Sequence, residues 1–237
     1  MLGGGEMRKR VLSVLVVLLL VGAYAAYAVS QPKLPKVEGC VNPFKVVKPV
    51  EKTPENWSSV HVFAKVLTSR DIRGLAKPWE VDYKNVKIAK HELEYNGEKI
   101  EMLAIGLPLK DKKHVIVYYE FSKPVQGVKV RAYLLEFIIS EDNKRITTKA
   151  VTTNGEVTPL SSCEHECSSD ADCNFLCMSY CCSRDYNIPC TIACCGACVW
   201  TGNLAYFLGC VLTECPWCYE ACNRCIEYGT YCMDTAP

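Results

Sequence analysis

Cysteine is nearly missing from the first 162 residues of this 237-residue chain, where only Cys40 occurs, although the chain holds 17. The other sixteen crowd into residues 163–237, about one residue in five, a density that marks a disulfide scaffold in an exported chain. The same tail has no lysine. Familiar catalytic motifs are missing as well. There is no G-x-S-x-G elbow and no phosphate-cradling glycine loop, and His91-Glu92 lacks the second histidine of a zinc-protease helix. His61, His91 and His114 are scattered and read as surface or core residues. These absences argue against an enzyme: no catalytic residue, cofactor site or metal site is expected, and no nucleic-acid partner. Glutamine occurs only twice beside abundant Lys, Glu and Val, as in heat-adapted proteins.

The N-terminus has the layout of an export signal. Arg8, Lys9 and Arg10 precede an apolar run, followed by the small-residue sites Ala23-Tyr24-Ala25 and Ala26-Tyr27-Ala28. The run from Val11 to Val29 is 19 residues long, enough for an uncleaved apolar helix that anchors the chain in a membrane. Residues 1–30 are therefore read as signal peptide or anchor and 31–48 as a linker, and the remainder as secreted or membrane-anchored with its domains outside the cell. Cys40 is read as a lone thiol or a partner for one tail cysteine.

Charge is divided unevenly. Residues 31–162 carry 22 basic and 16 acidic residues, net 22 − 16 = +6, whereas residues 163–237 carry two arginines and nine acidic residues, net 2 − 9 = −7. Opposite signs suit two parts of one chain that associate, so intramolecular binding between them is expected.

Residues 49–159 read as an antiparallel, β-rich domain. Ser59 to Ser69, rich in Val and Phe, reads as strand. Lys87 to Tyr95 and Glu98 to Ile105 flank Asn96-Gly97, a favoured tight-turn pair. Val115, Val117, Tyr119 and Phe121 alternate along another strand, as do Val128, Val130, Ala132 and Leu134, with a break at Ser122-Lys123-Pro124. Ile146 to Val151 with a turn at Asn154-Gly155 adds one more, and a short helix is placed near Arg70 to Leu75. Asn56-Trp57-Ser58 is a glycosylation sequon. Asn154 to Ser162 reads as a polar joint open to proteolysis.

Residues 160–237 read as a small all-α module stapled by disulfides. Its disulfide-forming residues are Cys163, Cys167, Cys173, Cys177, Cys181, Cys182, Cys190, Cys194, Cys195, Cys198, Cys210, Cys215, Cys218, Cys222, Cys225 and Cys232. Many lie four apart, which places them on one helix face: Cys163/Cys167, Cys173/Cys177/Cys181, Cys190/Cys194/Cys198 and Cys218/Cys222. Pro189 and Pro216 suit first helical turns, and Asn187 suits a cap. Spacing leaves the connectivity open. The same thiols also match two other patterns: a zinc site from Cys195-x2-Cys198 and Cys215-x2-Cys218, and thiol–disulfide exchange at the same pairs. Both are disfavoured by the number of further cysteines and by the lack of a βαβ setting. Val199 to Thr213 is strongly apolar and reads as a core helix or a membrane-active segment.

Cys190-Thr191-Ile192-Ala193-Cys194, the apolar helix with Cys210, Glu220-Ala221-Cys222-Asn223-Arg224 and Cys232 resemble the halocin C-eight-like archaeal bacteriocins. That resemblance implies a disulfide-rich antimicrobial peptide cut from the C-terminal end of an exported precursor. It also implies an N-terminal immunity part that binds and neutralises the peptide, and a target-cell membrane or surface component as outside partner. The alternative is an uncleaved, membrane-anchored extracellular protein whose tail is a recognition or surface module.

Overall fold

In a computed structural model, described for residues 42–54, 58–139, 144–160 and 163–233, one antiparallel sheet of nine strands organises the chain. The strands are β1 (Lys48–Pro54), β2 (Lys87–Tyr95), β3 (Glu98–Pro108), β4 (His114–Val125), β5 (Val128–Ile139), β6 (Lys144–Thr153), β7 (Glu156–Pro159), β8 (Leu176–Asp185) and β9 (Cys225–Met233). They lie in the order β1-β2-β3-β4-β5-β6-β8-β9, with β7 also paired to β6. One edge of β6 is shared: Arg145 to Thr147 pair with β8, and Ala150 to Thr153 pair with β7.

Three hairpins turn the same way. Asn96-Gly97, Gln126-Gly127 and Asn154-Gly155 each hold both residues at positive φ, the twist that suits a two-residue hairpin. Asn154 adds a tie, since its Oδ1 accepts from the backbone N–H groups of Lys129 and Val130. The proposed break at Ser122-Lys123-Pro124 is not one. β4 continues through it with a register irregularity between Glu120 and Val125, and the chain reverses at Gln126-Gly127.

Alternation in the strands gives the sheet two buried faces. Val115, Val117, Tyr119 and Phe121 point to one, and Ile116 and Tyr118 to the other. The second face is covered by α1 (Ser59–Thr68) and α2 (Arg70–Leu75) through Val62, Val66, Ile72 and Leu75. Ser59 to Ser69 was expected as strand, and α1 corrects that. Its buried Val62 and Val66 stand four apart, the helical period, and β-branched residues tolerate a helix when tertiary burial rewards it. The expected helix at Arg70 to Leu75 is α2, begun by Ser69 Oγ accepting from the Ile72 N–H.

The first face is covered by the tail, and here the all-α module is corrected. The tail contributes two strands, β8 and β9, and only three helices: α3 (Ile188–Cys194), α4 (Leu204–Glu214) and α5 (Pro216–Cys222). Cys177 and Cys181 lie on a strand, not a helix. A spacing of four also returns to the same side of a strand, whose period is two, so the cysteine rows could not separate the two structures. The tail is also not a separate body, because β8 hydrogen-bonds to β6 and one apolar cluster joins β3, β4, α4 and α5. β7 runs through the expected low-order joint, and Leu160 is buried after it. The N-terminal apolar helix, the linker up to Val41 and Cys40 lie outside the described residues, as do Asn56 and Trp57 of the sequon. Among the described residues no such helix occurs, and no helix is long and apolar enough to cross a membrane.

Candidate functional site: the bed of helix α4 and its cystine frame

Helix α4 is the apolar segment between the cysteine clusters. Asn203 caps its start, Oδ1 accepting from the Tyr206 N–H. Leu204, Phe207, Leu208, Val211 and Leu212 are all buried against β2, β3 and β4. Burying one such side chain is worth about 1.5–3 kcal/mol, so the sheet holds this helix firmly. The helix lies unusually close to β3. Gly106 permits this, since a Cβ at that position would overlap the Gly209 carbonyl and the Thr213 hydroxyl.

The last carbonyls of a helix have no partner within it, and the sheet supplies two. Tyr119 on β4 donates its hydroxyl to the Leu212 carbonyl at 2.9 Å, and His91 on β2 places Nε2 2.8 Å from the Thr213 carbonyl. A carbonyl only accepts, so His91 donates through Nε2. Burial lowers the His91 pKa below its ordinary value and raises that of Tyr119 well above its own, keeping both neutral as donors. Trp217 on α5 packs edge-on against the His91 ring, centroids 5.4 Å apart. Two polar ties finish the seat: Lys52 on β1 pairs with Glu214 at 2.6 Å, and Tyr206 donates to Asp82 Oδ2 at 2.6 Å. The Tyr206 hydroxyl holds the Asp82 carboxyl below the usual carboxylate range.

All sixteen tail cysteines form disulfides. Cys190–Cys222 and Cys194–Cys218 join α3 to α5, Cys195–Cys215 joins the end of α3 to the start of α5, and Cys198–Cys210 fastens the intervening loop to α4. Cys163–Cys182, Cys167–Cys177, Cys173–Cys232 and Cys181–Cys225 staple β8, β9 and the segment before them. No bridge leaves residues 163–232, and residues 42–160 contain no cysteine. The four-cysteine zinc spacing is broken up by three bridges with different partners. Neither C-x-x-C pair is closed on itself; the Cys195 and Cys198 sulfurs lie 3.6 Å apart in separate disulfides. The sulfurs of Cys167, Cys173 and Cys177 also converge within 4.8 Å, but all three are oxidised, which removes the thiolates a metal would need.

The helix proline and cap assignments hold: Pro189 and Pro216 sit in first turns, and Asn187 accepts from the Cys190 N–H. The bed was not legible beforehand. His91, Tyr119, Gly106 and Lys52 are isolated residues on four strands whose only sequence signal is inward-facing position, and Asp82 stands off the sheet at the start of the 3-10 turn Tyr83–Asn85. No family model, curated protein or solved structure matches this chain. Eight disulfides mark a protein of an oxidising or extracellular environment.

Proposed function

We propose that the chain is an exported precursor in which the cystine-rich tail is a bacteriocin-like antimicrobial peptide and the β-sheet binds and silences it. The carrying observation is covalent: all eight bridges stay within residues 163–232, so a single cut after Leu160 would free a fully cross-linked peptide. Everything else that holds the tail is noncovalent. The sheet buries the apolar side chains of α4, which a released peptide would present to a target membrane. The resemblance of Cys190 to Cys232 to halocin C-eight-like peptides points to the same division of labour, with an immunity part preceding the peptide. The apolar, small-residue N-terminus supports export.

The test is a cut of the oxidised full chain between residues 160 and 163. The tail should stay bound in native buffer, separate in denaturant without reductant, and inhibit cells or permeabilise vesicles once separated, while the uncut chain is inert. A separated, still oxidised tail with no effect on cells or vesicles would sink the proposal.

One observation favours a second reading, an uncleaved extracellular protein. β8 extends the sheet at β6, and Leu160 is buried at the joint. Under this reading the chain recovered from culture is intact, and its mass shows no tail fragment in medium or membranes.

A further inference from the structure

Helix α1 is apolar on more of its surface than the sheet uses. Val62 and Val66 face the core, yet Val60, Phe63 and Leu67, at spacings of three and four, are exposed, Val60 by 72%. A helix at the surface of a globular protein ordinarily turns charge outward from such positions. The 3-10 turn Pro78–Glu80 packs beside α1 and carries Trp79, 66% exposed, and the Phe63 ring meets Tyr83 edge-on at 5.4 Å. Lysines ring the tryptophan. Lys77 Nζ lies 5.4 Å over its ring, Lys110 Nζ donates to its carbonyl at 2.7 Å, and Lys84 is exposed on the next turn.

Exposed aliphatic and aromatic side chains with a tryptophan and a lysine rim form the chemistry of a membrane interface. The rings and aliphatics enter the headgroup boundary, tryptophan prefers that depth, and the amines meet lipid phosphates. Lysine stems can also lie along apolar surface while their amines stay in water. The chain outside the described residues fits this occupant. Its 19-residue apolar run ends at Val29, and the 12 residues between it and Asn42 make a tether of at most about 43 Å when fully extended. We propose that the exposed face of α1 together with Trp79 docks on an anionic lipid surface. The docking goes beyond the precursor reading and does not depend on cleavage of the tail.

The test uses the full chain in vesicles of phosphatidylcholine, alone or mixed with phosphatidylglycerol, with brominated acyl chains. The Trp79 signal is the fluorescence lost in Trp79→Phe. Bromolipid should quench that component in the mixed vesicles. Salt, or the triple change Val60→Ser, Phe63→Ser and Leu67→Ser, should abolish most of the quenching. The three side chains are exposed, so an unchanged melting temperature will show the triple variant to be folded. Tethering by the N-terminal run alone would leave Trp79 open to aqueous iodide and untouched by bromolipid, which overturns the proposal. So would protection of α1 that grows with protein concentration in the absence of lipid, because the face would then belong to a second copy of the chain.

Discussion

His91 and Thr213 are joined by a 2.8 Å hydrogen bond that runs from the middle of strand β2 to the last turn of α4. It is a neutral bond in a buried place. The ring faces the Thr213 carbonyl and Trp217, with Lys52 and Glu214 as the charged neighbours. Burial is the main cause of the lowered pKa, and Lys52 adds to it while Glu214 opposes it.

That lowered value fixes the sign of a pH effect. The unfolded chain binds a proton at an ordinary histidine pKa of about 6.5, and the folded chain resists until lower pH. The contribution is therefore complete above about pH 6.5 and lost as pH falls through the folded value. Denaturant titrations at neutral and mildly acidic pH should show this loss, and His91→Gln should flatten it. An equal acid dependence in both proteins would refute the assignment.

Gly106 and Gly209 face each other across the contact of β3 and α4, but they should differ sharply on substitution. Gly106→Ala drives a methyl into the backbone of α4 and should cost about 1–3 kcal/mol by overpacking. At Gly209 a methyl meets Pro108 and Val115 side chains at 3.4 Å, a close contact that can yield, and alanine favours the helix by about 1 kcal/mol. Gly209→Ala should thus be near neutral. Urea midpoints of the two variants decide it.

Tyr206→Phe removes the hydroxyl that lowers the Asp82 pKa. A carbon-detected NMR titration should find the Asp82 carboxyl moved upward toward its ordinary value in the variant. An unmoved titration would mean that the Asn85 and backbone donors suffice.

Arg184 on β8 is buried and donates to the Glu220 carboxylate at 2.8 Å and to the Asn223 carbonyl at 3.0 Å. Glu220→Ala leaves the buried guanidinium with the Asn223 carbonyl but no counter-charge and should cost about 1–3 kcal/mol. Adding Arg184→Met should recover part of that loss, because removing both partners is milder than removing one. A double variant less stable than Glu220→Ala alone would contradict this.

Much of the sheet was legible where the local signal and the tertiary outcome agree. Asn96-Gly97 and Asn154-Gly155 announce hairpins because only a few residue types accept positive φ at both turn positions. Gln126-Gly127 has the same geometry, but glutamine gives no such signal, and Pro124 drew attention two residues too early. The tail failed for a different reason. Cysteines four apart place Cys190/Cys194 on α3 and Cys218/Cys222 on α5 correctly and Cys177/Cys181 wrongly, since they lie on β8, where side-chain direction also agrees; Cys163, Cys167, Cys173 and Cys198 lie on no helix. The bed of α4 was hidden because its polar contacts link residues up to 162 positions apart.

Because residues 42–160 contain no cysteine, the seven strands β1 to β7 are synthesised before the first tail thiol. The sixteen tail thiols all follow them in the chain. Once α4 settles over Gly106, the positions of Cys210 and Cys215 at its middle and end are fixed, and with them the choice of Cys198 and Cys195 as partners. The cysteine-free sheet is in this sense a mould for oxidation, narrowing an immense number of pairings before the first bridge closes.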